Sequence, residues 1–270
     1  MKSKLMAATA AGLMLAAVAS VSAKTTVQSK MSSIEKMVDA GKLPEAAQKL
    51  KNEYRFDKPD GLMALQRFSV LVLRRGLKET DVFERVYAAS ALGAAGDSAY
   101  LKLLEAAFVS PDPGLRMAAA DGLGDMDNAT AAQALARLYH SSDAYGRRLA
   151  VQGLSQIDDP EAKTVLTAAI DEKDNSTRLM ATDALGRMKD TEALPQLRKL
   201  LTTEKELFNR VTVAHSMLLL GDNSGLDTLF AILHDRSNID LRAASALALG
   251  EARDPRAQGE LKRALADPEL

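Results

Sequence analysis

Six arginines recur along this chain at almost constant spacing: Arg85, Arg116, Arg147, Arg178, Arg210 and Arg242, at intervals of 31, 31, 31, 32 and 32 residues. Twelve residues after each stands an acid or an amide: Asp97, Asn128, Asp159, Asp190, Asp222 and Asp254. A periodic pair of a cation and a carboxylate can form a charged row for a ligand, or a ladder of ion pairs holding successive units together. The second reading is favoured, because Asp and Asn are the residues that cap helix starts. The other residues suited to chemistry are sparse. Of the three histidines, His140 and His234 share one offset three repeats apart, roughly 30 Å at ordinary helix spacing, so they cannot share a metal. His215 falls beside a small-residue stripe, where packing is the simpler role. The absence of cysteine excludes thiol catalysis, disulfides, thiolate zinc sites and iron-sulfur clusters. No GxSxG, HExxH, Walker or dinucleotide glycine loop is present. No catalytic residue, cofactor or metal ligand is expected.

The recurrence defines the elements that position these groups. Seven residues after each Arg is Leu92, Leu123, Leu154, Leu185, Met217 or Leu249, and small residues at three and four past the Arg include Ala88, Ala89, Ala119, Ala120 and Ala150. Offsets of three, four and seven share one face of an α-helix, and small side chains there let helices approach closely. Gly93, Gly124, Gly186 and Gly250 then fall where the helix is expected to end, with glycine favoured for a left-handed turn. The Asp or Asn caps a second helix, and Pro160 and Pro255 follow two of these caps at the first helical position. Seven residues past the cap lies Leu104, Leu135, Leu166, Leu197, Leu229 or Leu261, and four beyond that Phe108, Tyr139, Ile170, Leu201, Leu233 or Leu265. Each unit is a helical hairpin that cannot bury both stripes alone, so units must stack.

Arg178 to Leu201, RLMATDALGRMKDTEALPQLRKLL, carries R-x-x-A-x-x-A-L-G-x-x-x-D without a gap, and this resembles the HEAT-like repeats, in particular the short bacterial type of the phycobilin lyases. Departures are modest: Ser155 and Leu218 stand for the glycine, Val213 and Ser245 for the early alanine. The resemblance implies an all-α fold, an α-α superhelix (HEAT-like solenoid) of about six hairpins plus an N-terminal helical cap, with a binding surface on the second helices and no particular chemistry. Its di-iron hydroxylase relatives carry His-Glu ligand pairs; no His-Glu pair occurs here.

The expected organisation is a signal peptide at 1–23, an unstructured linker at 24–31, a helical cap at 32–79 and the repeats at 80–270. Lys2 and Lys4 precede an apolar run, Leu5 to Val18, too short to span a bilayer, and Val21-Ser22-Ala23 offers a cleavage site. The mature chain is expected in the periplasm, or secreted if the host is Gram-positive, and not membrane-spanning. The cap reads as three helices, Ile34 to Ala40, Pro44 to Tyr54 and Leu62 to Leu77, and no capping helix is evident after the sixth repeat. A formal charge of −1 without basic clustering argues against nucleic acid.

A helical wheel turns offsets two, five and nine past each cap outward on the second helix. Offset nine gives Ala106, Arg137, Ala168, Lys199, Ala231 and Arg263, with Lys102 and Arg256 on neighbouring rows. Lys102, Arg137, Lys199, Arg256 and Arg263 are therefore the candidate partner-binding residues, suited to an acidic peptide, a partner helix or an anionic polymer. An ordinary solvated helix face would look the same. The expected function is a non-catalytic scaffold or adaptor binding another exported or membrane protein. The alternatives are a lyase-like enzyme or accessory subunit acting on an exported substrate, and an envelope protein binding polymer.

Overall fold

The computed structural model describes residues 21–79, 81–95 and 100–266, and every described element is a helix. In chain order these are α1 (Val21–Asp39), α2 (Leu43–Glu53), α3 (Pro59–Gly76), α4 (Val82–Ala94), α5 (Leu101–Phe108), α6 (Pro113–Asp125), α7 (Ala129–Ser141), α8 (Ala144–Leu154), α9 (Pro160–Ala169), α10 (Asn175–Arg187), α11 (Leu194–Thr203), α12 (Leu207–Leu219), α13 (Leu226–His234), α14 (Ile239–Ala252) and α15 (Gln258–Leu265). Short 3₁₀ turns at Thr191–Ala193, Asn223–Gly225 and Pro255–Ala257 lead into α11, α13 and α15. No described helix is long and apolar enough to cross a membrane. The chain divides into two compact units, one up to Ala134 and one from Leu135. Most of the expected signal peptide, and the cap residue Asp97, lie outside the described residues.

In the first unit, α1, α2 and α3 share one core built from Val27, Met31, Ile34, Val38, Ala46, Leu50, Tyr54, Ala64, Phe68 and Leu71. This differs from the linker expected at 24–31, because α1 already runs through those residues. Val27 and Met31 extend the stripe of Ile34 and Val38 by whole turns, and burying them stabilises helix where local polarity alone suggested coil. The three helices expected in the cap are present, two of them opening with proline in the first turn. The hairpins of α4 with α5 and the helix α6 follow.

The second unit repeats the hairpin order in α8–α9, α10–α11, α12–α13 and α14–α15, and first helices pack on first helices from one repeat to the next. The predicted stripes are its core. Leu154, Leu185, Met217 and Leu249 are fully buried on the first helices, and Leu166, Leu197 and Leu229 on the second.

The glycines correct the expectation. Gly93 and Gly186 do not end their helices in a left-handed turn; both lie inside them. A Cβ on Gly93 would stand 2.1 Å from Gly122 Cα of the next first helix, and one on Gly186 2.9 Å from Ser216 Cβ. These glycines allow close approach between neighbouring repeats. The left-handed residue comes three positions later, just before the cap: Asp127 (φ 40°), Lys189 (φ 54°), Gly221 (φ 80°) and Arg253 (φ 52°). Each of these helices therefore runs one or two residues past its glycine, and the left-handed turn follows.

Candidate functional site

The cap residues do what their spacing predicts. Asn128 accepts from the Ala131 N–H at 2.9 Å, Asp159 from Glu161, Asp190 from Glu192, Asp222 from Ser224 and Asp254 from Arg256. A second capping series was missed by sequence reasoning. It lies four residues before each arginine, at Asp81, Asp112, Asp143, Asp174 and Asn238, with Glu206 in the fifth place. Asp112, Asp143, Asp174 and Asn238 accept from the first turns of α6, α8, α10 and α14. The same spacing of 31 and 32 that revealed the arginines would have shown it.

The arginine ladder exists with different acids from those expected. Arg85 pairs with Asp112, which begins the next first helix, and its guanidinium holds that carboxyl below the usual range. Arg147 Nε donates to Glu172 Oε1 at 2.7 Å, and Arg178 Nη2 reaches Glu204 Oε2 at 3.2 Å. Arg178 also donates to the carbonyls of Glu172 and Lys173, and buried Arg242 to that of Leu233. The arginine thus staples the loop before its own helix and, where an acid is present, the loop before the next. The Asp twelve residues on is occupied by its own helix start. Tyr139 joins this network by donating to Glu172 Oε1 at 2.9 Å. Burial, then the neighbouring Glu172, push the Tyr139 phenol up to about 12. Burial alone would raise Glu172, but hydrogen bonds from Arg147 and Tyr139 outweigh it and hold the carboxyl low. Asn175 and Asn209 exchange side-chain hydrogen bonds of 3.3 and 2.7 Å between α10 and α12.

The wheel prediction for the second helices holds. Offset five is exposed in all six repeats, at Lys102, Gln133, Thr164, Pro195, Asp227 and Gly259, and so is offset nine, which includes Arg137, Lys199 and Arg263. Offset two is exposed in every described case: Thr130, Glu161, Glu192, Ser224 and Arg256. The candidate cations are placed as follows. Lys102 lies on α5 in the first unit; Arg137, Lys199, Arg256 and Arg263 lie in the second. Lys199 Nζ is 3.6 Å from Asp171, Arg263 is 2.5 Å from Glu260, and Arg256 forms a two-pronged pair with Asp254 at 2.9 and 2.6 Å. Exposed pairs of this kind contribute little stability and exchange partners readily.

The histidines occupy separate helices. The His140 ring meets Tyr139 edge-on, His215 Nε2 lies 3.3 Å from Glu251, and His234 Nε2 lies 2.9 Å from Glu260. Among the described residues, no group of three or more His, Asp or Glu could hold a metal. A charged depression of 540 Å³ in the first unit is lined by Glu35, Asp39, Arg74, Arg75 and Lys78. There Arg74 reaches Glu35 at 2.9 Å and Asp39 at 3.1 Å, and Arg75 donates to the Asp39 carbonyl, so the cluster ties α1 to α3.

A protein built this way is an α-helical repeat protein. HEAT repeats match residues 70–146 and 137–217, together more than half of the sequence, and the chain belongs to that family. Among solved structures it is similar to a chain of the complex of CpcE and CpcF of phycocyanin lyase from Nostoc sp. PCC7120, with 23% identity, a TM-score of 0.53, and coverage of 73% of this chain and 80% of that one. That likeness establishes the shared fold. Weaker similarities are to an engineered protein (18% identity, TM-score 0.45, 68% of this chain and 96% of that one) and to human deoxyhypusine hydroxylase in complex with glycerol (13% identity, TM-score 0.33, 85% and 98%). No curated protein matches.

Proposed function

We propose that this chain is an exported, periplasmic scaffold that binds another protein along its second helices, without chemistry of its own. The observation that carries the reading is the outward row. At offsets two, five and nine the side chains are exposed in repeat after repeat and differ freely, whereas the inward positions at seven and eleven stay large and apolar. In the second unit, offset nine alternates cation and alanine: Arg137, Ala168, Lys199, Ala231, Arg263. With second helices spaced by about 8–10 Å, every second repeat presents a cation about 16–20 Å from the last, over small residues that leave room between. An acidic, extended or helical segment of a partner protein suits that row. Its carboxylates replace Asp171 and Glu260 as ligands of Lys199 and Arg263, and such exchange favours specificity and encounter rate over raw affinity. Export rests on Lys2, Lys4 and the apolar run that follows them.

The test is affinity capture from envelope extract with the native chain and with a variant carrying Arg137→Glu, Lys199→Glu and Arg263→Glu. The expected result is a partner retained by the native chain, lost by the variant and released by salt, with unchanged helical circular dichroism in both. A partner indifferent to the three reversals removes the second-helix row from the binding site.

A further inference from the structure

In the second unit, the residue twelve past one cap comes beside the residue nine past the next: Asp171 reaches Lys199 in this way. The same step along the chain pairs His234, at the end of α13, with Arg263 on α15, and here a third group joins them. Glu260 meets His234 Nε2 with Oε2 at 2.9 Å and accepts from Arg263 Nη2 on Oε1 at 2.5 Å, one carboxylate oxygen for each. Its position, six past the cap, holds Leu103, Ala134, Val165, Gln196 and Thr228 in the first five repeats and an acid only in the sixth. The acid is recessed: its side chain is 19% exposed, against 58% for His234 and 73% for Arg263. A ligand approaching the row meets the ring and the guanidinium before the carboxylate.

Histidine changes its charge between about pH 5 and 8, whereas carboxylates and guanidinium groups keep theirs across that window. The other charged groups on the elements around His234 are Asp235 and Arg236 in the turn that follows, Asp240 and Arg242 on α14, and Arg210 on α12. Asp235 is held by the Ser237 N–H, and Arg242 Nε donates to the Leu233 carbonyl. His215, also on α12, lies against Glu251 on a first helix, away from the row. With a neutral ring, Glu260 and Arg263 cancel. Drawing Arg263 away then leaves a recessed carboxylate without a charged partner, which is costly. With a protonated ring the three groups sum to one positive charge, and Glu260 keeps a charge-assisted bond when Arg263 leaves.

We propose that His234 is a proton switch on the binding row: its protonation secures Glu260 and frees Arg263 for a carboxylate of the partner, so an acidic partner is held more tightly at lower pH. Its action rests on the second-helix row being the binding surface. The row's other joints lack the device. Lys199 faces Asp171, whose charge is fixed over this window, and Val165 stands in the place of Glu260 opposite His140, so no carboxylate links that ring to a row cation.

The experiment measures binding of a soluble peptide of alternating Asp and Gly to the full chain at about pH 8 and about pH 5.5, where the peptide stays ionised. The native chain is expected to bind about fivefold more tightly at the lower pH, the factor that one added charge about 4 Å from a partner charge gives in water. His234→Gln binds with the pH 8 affinity at both values. Glu260→Gln binds at pH 8 as tightly as the native chain does at the lower pH, since Arg263 is then free without a proton. His140→Gln keeps the native dependence. Helical circular dichroism, expected unchanged in every variant at both values, separates the switch from unfolding. A native chain with one affinity at both values overturns the switch, as does a dependence that survives His234→Gln or vanishes in His140→Gln; in each case the row stands. A peptide that fails to bind at either value, or binds regardless of Arg137→Glu, Lys199→Glu and Arg263→Glu, removes the row itself and the switch with it.

Discussion

Tyr139 and Arg147 converge on one oxygen of Glu172, and three residues with individually ordinary roles become a coupled unit. The linkage has opposite signs at the two ends of the pH scale. Glu172 titrates low in the folded chain, so its contribution is present above the ordinary carboxylate range and is lost as pH falls through its folded value. Tyr139 is raised from 10.0 to about 12, so its contribution is full below pH 10 and is lost as pH climbs from 10 toward 12. Thermal unfolding midpoints should therefore drop between pH 10 and 12, and Tyr139→Phe, which has no phenol to ionise, should flatten that drop. An unchanged slope in the variant would assign alkaline loss to other groups. Little of this network was legible in the sequence beyond the arginine, because the acid six residues before an arginine recurs only as Glu79, Glu172 and Glu204, and Glu172 meets Tyr139 and Arg147 only through folding.

At the scale of the helix and its joint, the glycine eight residues past four of the six arginines separates two physical demands that a sequence pattern cannot tell apart. Glycine serves both left-handed turns and close contacts. Gly93 serves the second, and Gly250 shares its position without its neighbour. Gly93→Ala should destabilise by about 1–3 kcal/mol, since the methyl group would meet the Gly122 backbone and force two helices apart. Gly250→Ala should stabilise by about 0.5–1 kcal/mol, because only the backbone entropy of a helical glycine changes. Urea unfolding of the two variants in dilute protein reads both signs. Equal effects would place the glycine's role in the helix itself and not in the joint.

Across the whole molecule, repeat proteins hold each unit by its own packing and by its neighbours, so loss of one neighbour lowers local stability. The hairpin of α14 and α15 has one neighbour among the described residues, and no residue of α15 is buried. Amide exchange should be fastest in α15 and slowest in α8 to α12, where Leu149, Ala150, Leu166, Ala181 and Leu185 are buried. Uniform exchange along the second unit would show that its repeats open as one body.

The sequence by itself determined the hairpin, its period, the buried leucines, the turn caps and the outward row, because all of these follow from helical periodicity and from hydrogen bonds within a few residues. It also contained the second capping series, unread until the structure drew attention to it. Only the tertiary structure decided which acid each arginine grips, why the glycines are there, and that α1 reaches back to Val21. Those outcomes depend on what stands across a joint from a residue some thirty positions away, and periodic spacing names the position without naming the neighbour.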